Sequence, residues 1–277
     1  MNAILKTGLA LLLLAAASTQ ADAGRFTSLP GNPGLHSASA IVLDSKGDLI
    51  YGKDVDTVRP IASITKLMTA MVVLDAGLDL DEQITIEEAD KDRLRLTGSR
   101  LRVGASLSRR DLLLLALMSS ENRAAAALGR SYPGGTGNFV AQMNAKAAAL
   151  DMQRSRFADP AGLDAGNVST ASDLAKMLHA AQGYPLITAS TTTVEREVRP
   201  FSRSGTLMFI NTNRLLKNES WQIELSKTGY INEAGRCLVM QANIDGEAVS
   251  IVLLNSFGKL TPFGDSNRLR KWMLANS

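Results

Sequence analysis

Hydrophobic periodicity changes twice along this chain, and that pattern constrains the fold more than any other feature. Apolar residues alternate over residues 39–43 and 48–52, and the polar Asp44-Ser45-Lys46-Gly47 between them reads as a hairpin turn. Helical spacing then takes over. Ile64, Leu67, Met68, Met71 and Val72 recur at intervals of three and four, with Pro60 ahead and Gly77 behind. Residues 108–118 predict a second helix, entered through Ser108 and Asp111 and carrying a leucine run that must be buried all round. Further helices are expected over 138–150 and 171–181, the latter capped by Thr170 with Asp173 three residues on. After Pro200 alternation returns at 221–227, 236–243 and 248–255, and a closing helix is expected over 265–275. Strands at both ends around a mostly helical middle predict one α/β domain whose terminal strands share an antiparallel sheet packed against helices.

Composition narrows the chemistry. Of 277 residues, 45% are hydrophobic and 21% charged, which excludes a disordered or collagen-like chain. A net charge of +3, spread along the chain, gives no footprint for nucleic acid. One cysteine, Cys237, cannot form an intrachain disulfide, and His36 and His179 lack partners at metal-ligand spacing. No metal and no cofactor is expected. Lys6, the apolar run 9–17 and the small-x-small Ala21-Asp22-Ala23 read as a secretory signal over residues 1–23, leaving a single domain over 24–277. The destination is then the periplasm or the cell exterior, where the lone thiol is best accommodated buried in a strand. The alternation of Arg93, Arg95, Arg100 and Arg102 with leucine and valine predicts the solvated side of a strand pair. A sharper reading is a surface that attracts anionic peptides.

Three short motifs carry the chemistry. Ser63-Ile64-Thr65-Lys66 places a hydroxyl and an amine one turn apart near a helix start. A serine becomes a nucleophile when a base takes its proton, and a lysine serves once desolvation and neighbouring cations lower its pKa. Ser256-Phe257-Gly258-Lys259 has the same spacing but no helix context and is read as chance. Ser120-Glu121-Asn122 falls where a buried helix breaks, so a second hydroxyl and an amide can face a cleft. Lys227-Thr228-Gly229 ends an alternating strand, with Gly229 allowing close approach of an extended ligand. The order of the three, on helix, loop and strand, is far more specific than any one of them.

This set is that of penicillin-binding proteins and class A β-lactamases. The text around it, Arg59 to Ala70 and the run LLLLALMSSENRAAA from Leu112, resembles the D-alanyl-D-alanine peptidases among the low-molecular-mass penicillin-binding proteins. It is most similar to the endopeptidases of the penicillin-binding protein 7 type. The resemblance implies a penicillin-binding-protein/serine β-lactamase-like fold. It further implies Ser63 as acylated nucleophile, Lys66 as its base and Ser120 as proton relay, with Asn122 holding the substrate's amide backbone. Lys227 would supply positive potential to Ser120 and to the substrate's carboxylate end, which Thr228 would hydrogen-bond beside Gly229, and the N–H groups of Ser63 and Tyr230 would form the oxyanion hole. Peptidoglycan stem peptides are the implied substrate, cut at D-alanyl-diaminopimelate cross-links, and β-lactams the implied covalent inhibitors.

Alternatives stay open at this point. A D-alanyl-D-alanine carboxypeptidase would use the same machinery. A β-lactamase of class A needs a glutamate between the second and third motifs, yet none occurs from Arg123 to Val194; Asp159 and Asp164 are imperfect substitutes. A non-catalytic sensor is disfavoured by intact Lys66, Ser120 and Lys227. The 48 residues after Gly229 suffice for two strands and a helix, so the chain is expected to carry no membrane-anchoring second domain. The cationic Arg268, Arg270 and Lys271 leave peripheral membrane contact open.

Overall fold

The structure, a computed structural model, describes residues 25–26, 28–201 and 205–277; the predicted leader over 1–23 lies outside them. In chain order the elements are β1 (Ser37–Leu43), β2 (Leu49–Lys53), β3 (Arg59–Pro60), α1 (Thr65–Asp75), β4 (Gln83–Thr85), β5 (Ser106–Ser108), α2 (Arg109–Met118), α3 (Asn122–Arg130) and α4 (Gly135–Ala149). There follow β6 (Val168–Ser169), α5 (Ala171–Gln182), α6 (Pro185–Thr192), β7 (Glu195–Val198), β8 (Leu207–Ile210), β9 (Gln222–Ile231), β10 (Gly235–Ile244), β11 (Glu247–Ser256) and α7 (Thr261–Asn276).

Five strands form the main antiparallel sheet in the order β2-β1-β11-β10-β9, so the two ends of the sequence meet where β1 pairs with β11, Ser37 opposite Ser256. Alternation along these strands sends one set of side chains to each face. Ile41, Val239, Val252 and Leu254 join the helices in one apolar cluster, while Ala40, Val42, Leu238, Ile251 and Leu253 pack under α7 in another. Asp265 of α7 ties the closure. Fully buried, its carboxylate accepts from the backbone N–H groups of His36 and Ser37 and from the Ser37 hydroxyl.

The helices behave as their sequences dictate. Ser108 caps α2 by accepting from the Asp111 N–H at 3.1 Å, and Leu112, Leu113, Leu115 and Leu117 are all buried. Each leucine contributes roughly 1.5–3 kcal/mol by leaving water. Thr170 caps α5 in the same way, through the Asp173 N–H.

Two expectations are corrected. The third motif does not end its strand: β9 runs on to Ile231 because Tyr230 and Ile231 keep pairing with Arg236 and Gly235. Residues 91–104 form no strand pair. The Asp92 carboxylate gathers the N–H groups of Leu94, Arg95 and Thr97 and winds the segment into turns. Arg95 there bonds the Leu163 carbonyl and pairs with Glu233 at 2.9 Å, while Arg100 lies 4.0 Å from the Phe209 ring centroid.

Candidate active site

Ser63 sits in a single 3₁₀ turn, Ala62–Ile64, that leads into α1. The turn is sharp because Ala62 adopts a left-handed conformation, φ +48°, an unusual one for a residue with a Cβ. Lys66, one turn on, has no exposed surface. Its Nζ lies 2.7 Å from the Ser63 Oγ, 2.8 Å from the Asn122 Oδ1 and 2.5 Å from the Ala161 carbonyl oxygen. Burial pulls its pKa down to about 7, against the opposing pull of the Asp159 and Glu121 carboxylates. A neutral lysine has two N–H donors and one lone pair. The amide oxygen of Asn122 and the Ala161 carbonyl can take only donors, so the lone pair is left for the Ser63 hydroxyl. That is the arrangement of a general base.

The second motif is built by a helix break. At the end of α2 Ser120 takes φ +60°, the N–H of Glu121 turns back to the Leu115 carbonyl, and the Glu121 side chain caps α3 by accepting from the Arg123 N–H at 3.2 Å. Asn122 opens α3, and its Nδ2 donates to the Thr97 Oγ1 at 3.0 Å, which fixes the oxygen toward Lys66. Ser120 and Asn122 both line the cleft with Ser63.

The third motif is the edge strand of the sheet. A Cβ at Gly229 would lie 2.9 Å from the Ile61 carbonyl and 3.1 Å from the Ser63 nitrogen, so only glycine lets β9 press against the turn that carries the serine. Lys227 is buried, donates to the Thr228 carbonyl at 2.9 Å, and is held well below the usual lysine range by burial and by the charge of Lys66. Thr228 and Tyr230 face the other side of β9; Thr228 Oγ1 bonds Thr212 Oγ1 at 2.6 Å. The seven residues singled out by the motifs and Tyr230, singled out by the resemblance, thus converge, six of the eight around a cleft of about 750 Å³ with Lys66 and Lys227 buried behind it. Cys237, also at the cleft wall, is buried and its thiol is pushed up to about 11, which makes it unreactive.

Sequence reasoning missed the loop that completes the site. Asp159 Oδ1 accepts from the N–H groups of Ala161 and Gly162 at 2.5 and 2.6 Å, and Oδ2 from the Asp164 N–H and the Asn167 Nδ2 at 2.6 and 2.8 Å. The loop so gathered lies on α1, where the Pro160 carbonyl takes the Thr69 hydroxyl and the Ala161 carbonyl takes Lys66. Asp159 is therefore committed to folding its loop, and Asp164, exposed and bonded to the Gly166 N–H, does not line the cleft, so neither is placed as a base for water there. A backbone carbonyl leaves no motif; the Asp-Pro-x-Gly turn signature at 159–162 was the available signal.

Residues 27–258 match the family model of peptidase S11, D-alanyl-D-alanine carboxypeptidase. The chain belongs to the peptidase S11 family. Among curated S11 relatives, a D-alanyl-D-alanine endopeptidase of Pseudomonas aeruginosa is 50% identical over 95% of this chain and 85% of its own length. A D-alanyl-D-alanine endopeptidase of Escherichia coli K12 is 47% identical over 96% and 86%. The crystal structure of the Streptomyces K15 DD-transpeptidase superposes with a TM-score of 0.81 at 28% identity, covering 89% of this chain and all of that one. As an S11 member with this fold the protein is a serine hydrolase, and the α/β architecture with its antiparallel sheet is that of the penicillin-binding enzymes.

Proposed function

We propose that this chain is a periplasmic D,D-endopeptidase that cuts D-alanyl-diaminopimelate cross-links in peptidoglycan through a Ser63 acyl-enzyme, after a signal over residues 1–23 has been removed. The observation that carries the reading is the Lys66 amine, its two donors taken up by Asn122 and Ala161 and its lone pair facing Ser63 at 2.7 Å. The names of the two endopeptidase relatives support the cross-link as substrate.

In the first step the Ser63 oxygen attacks the D-alanyl carbonyl carbon and its proton passes to Lys66 Nζ. The N–H groups of Ser63 and Tyr230 hold the oxyanion. Collapse breaks the C–N bond, and the proton reaches the departing amine through Ser120. Asn122 aligns the donor stem and Thr228 hydrogen-bonds the carboxylate next to the departing amine, while Lys227, buried behind the strand, supplies positive potential to it. Water then attacks the ester and Ser63 recovers its proton. β-Lactams enter the same first step and remain attached.

The deciding experiment compares purified dimeric muropeptide with monomeric pentapeptide at equal concentration. Conversion of dimer to monomer is expected to outpace release of free D-alanine; the reverse makes the protein a carboxypeptidase. Ser63→Ala is expected to abolish labelling by fluorescent penicillin with circular dichroism unchanged, and a label mapped to Ser120 or Ser256 would overturn the assignment.

A further inference from the structure

Beyond the nucleophile the cleft continues along the face of β9 that carries Thr228 and Tyr230, and its wall there is cationic. Arg214, Lys217, Arg236 and Lys259 all line it, and no aspartate or glutamate does. Exposed cations ordinarily find carboxylates on the protein surface, as Arg25, Lys176 and Arg196 do here. None of these four side chains has a salt bridge or hydrogen bond to an acid among the described residues. Arg236 is nonetheless fixed in place: its guanidinium stacks 3.8 Å from the Tyr230 ring centroid, which leaves the N–H edge of the fork free for a planar anion. The wall is continuous with the reacting groups, since Thr228 bonds Thr212 and Arg214 lies two residues on.

We infer that this wall is an extended binding site for a leaving segment bearing several carboxylates, with Arg236 as its fixed point and Arg214 and Lys217 as its distal part. The inference rests on the cross-link reading above and deepens it. Departing D-alanine carries a single carboxylate, which Thr228 accommodates under the positive potential of the buried Lys227. The departing half of a cross-link is a whole acidic stem peptide, whose further carboxylates require further cations. The wall thereby supplies a physical basis for preferring cross-links over terminal D-alanine.

The test uses the full enzyme and the variant Arg214→Gln with Lys217→Gln, both positions being exposed and outside the apolar core. Three substrates are compared: the dimeric muropeptide, the same dimer with its leaving-stem carboxylates amidated, and a D-alanyl thioester whose leaving thiol carries no charge. The ratio of kcat/KM for the dimer to that for the thioester is expected to fall about tenfold in the variant, and about tenfold in the parent enzyme when the dimer is amidated. An unchanged ratio in the variant overturns the inference. So does an equal loss on all three substrates, which signals a structural defect. If the parent enzyme hydrolyses pentapeptide but no dimer, the cross-link reading fails, and the wall is then read from competition by free tetrapeptide stem against thioester hydrolysis. An inhibition constant several-fold weaker in the variant supports the wall as a polycarboxylate site; equal constants overturn it.

Discussion

At the residue scale the site turns on one proton. Lys66 must be neutral to accept from Ser63, so acylation by penicillin is expected to rise with pH through about 7 and to lose roughly tenfold per unit well below it. Lys227 loses its charge well below the ordinary lysine range, so the alkaline limb of peptide hydrolysis should begin early, as the carboxylate loses its counter-charge. Stopped-flow labelling across pH checks the acid limb, and an acid limb above pH 9 would remove Lys66 from the base role. Asp159 acts on the same proton from a distance. Asp159→Asn withdraws the negative charge that supports protonated Lys66, so the acid limb should move to lower pH. The variant also loses charge-assisted hydrogen bonds to the loop, at a cost of about 2 kcal/mol in urea unfolding. A limb that moved upward would show that loop distortion, not charge, governs Lys66. Because neither loop aspartate lines the cleft, the penicilloyl-enzyme should persist, and steady accumulation of hydrolysed penicillin would contradict this.

Elements bring these residues together through close backbone approach, and that is where sequence reading reached its limit. Strand and helix positions were legible because β1, β10 and β11 send alternate apolar residues to the two clusters on either face of the sheet, while α2 and α5 commit theirs to the helical cluster. The motifs were legible because each is contiguous. What could not be read is what acts through main chain or through distance: the Ala161 carbonyl on Lys66, the Thr97 hydroxyl orienting Asn122, and the 91–104 segment, where Asp92 side-chain bonds override an alternating pattern. Gly162 exposes the same limit. It has φ +78°, and a Cβ there would stand 2.0 Å from the Ala62 carbonyl, under the turn that carries Ser63. Gly162→Ala must push that turn aside, so penicillin labelling should slow by more than about tenfold alongside a lowered Tm. Gly98→Ala, with nothing within 4 Å of its Cβ, is the control expected to leave both near parental values. Parental labelling by Gly162→Ala would show that the loop yields instead of the turn.

For the whole molecule, the sheet is closed late in the sequence, since β1 can find β11 only after more than 190 residues have been laid down between them. Asp265 secures that closure from α7, and its carboxylate has no exposed surface. Asp265→Ala strands the N–H groups of His36 and Ser37 and should cost about 3 kcal/mol in chemical denaturation, with the cleft's penicillin reactivity kept in the molecules that remain folded. A loss below about 0.5 kcal/mol would mean that strand pairing alone holds the ends. The helix that bears Asp265 also sets the orientation of the molecule. Pro262 and Phe263 at its start edge the cleft, whereas Trp272, most of the way along its roughly 24 Å length, donates to the Pro30 carbonyl near the other end of the chain. Pro30 and the last turns of α7 therefore lie together at the pole remote from the reacting groups. A bead, fluorophore or surface attached through the last turn of α7 leaves the working face turned outward, free to meet a ligand far larger than the cleft itself.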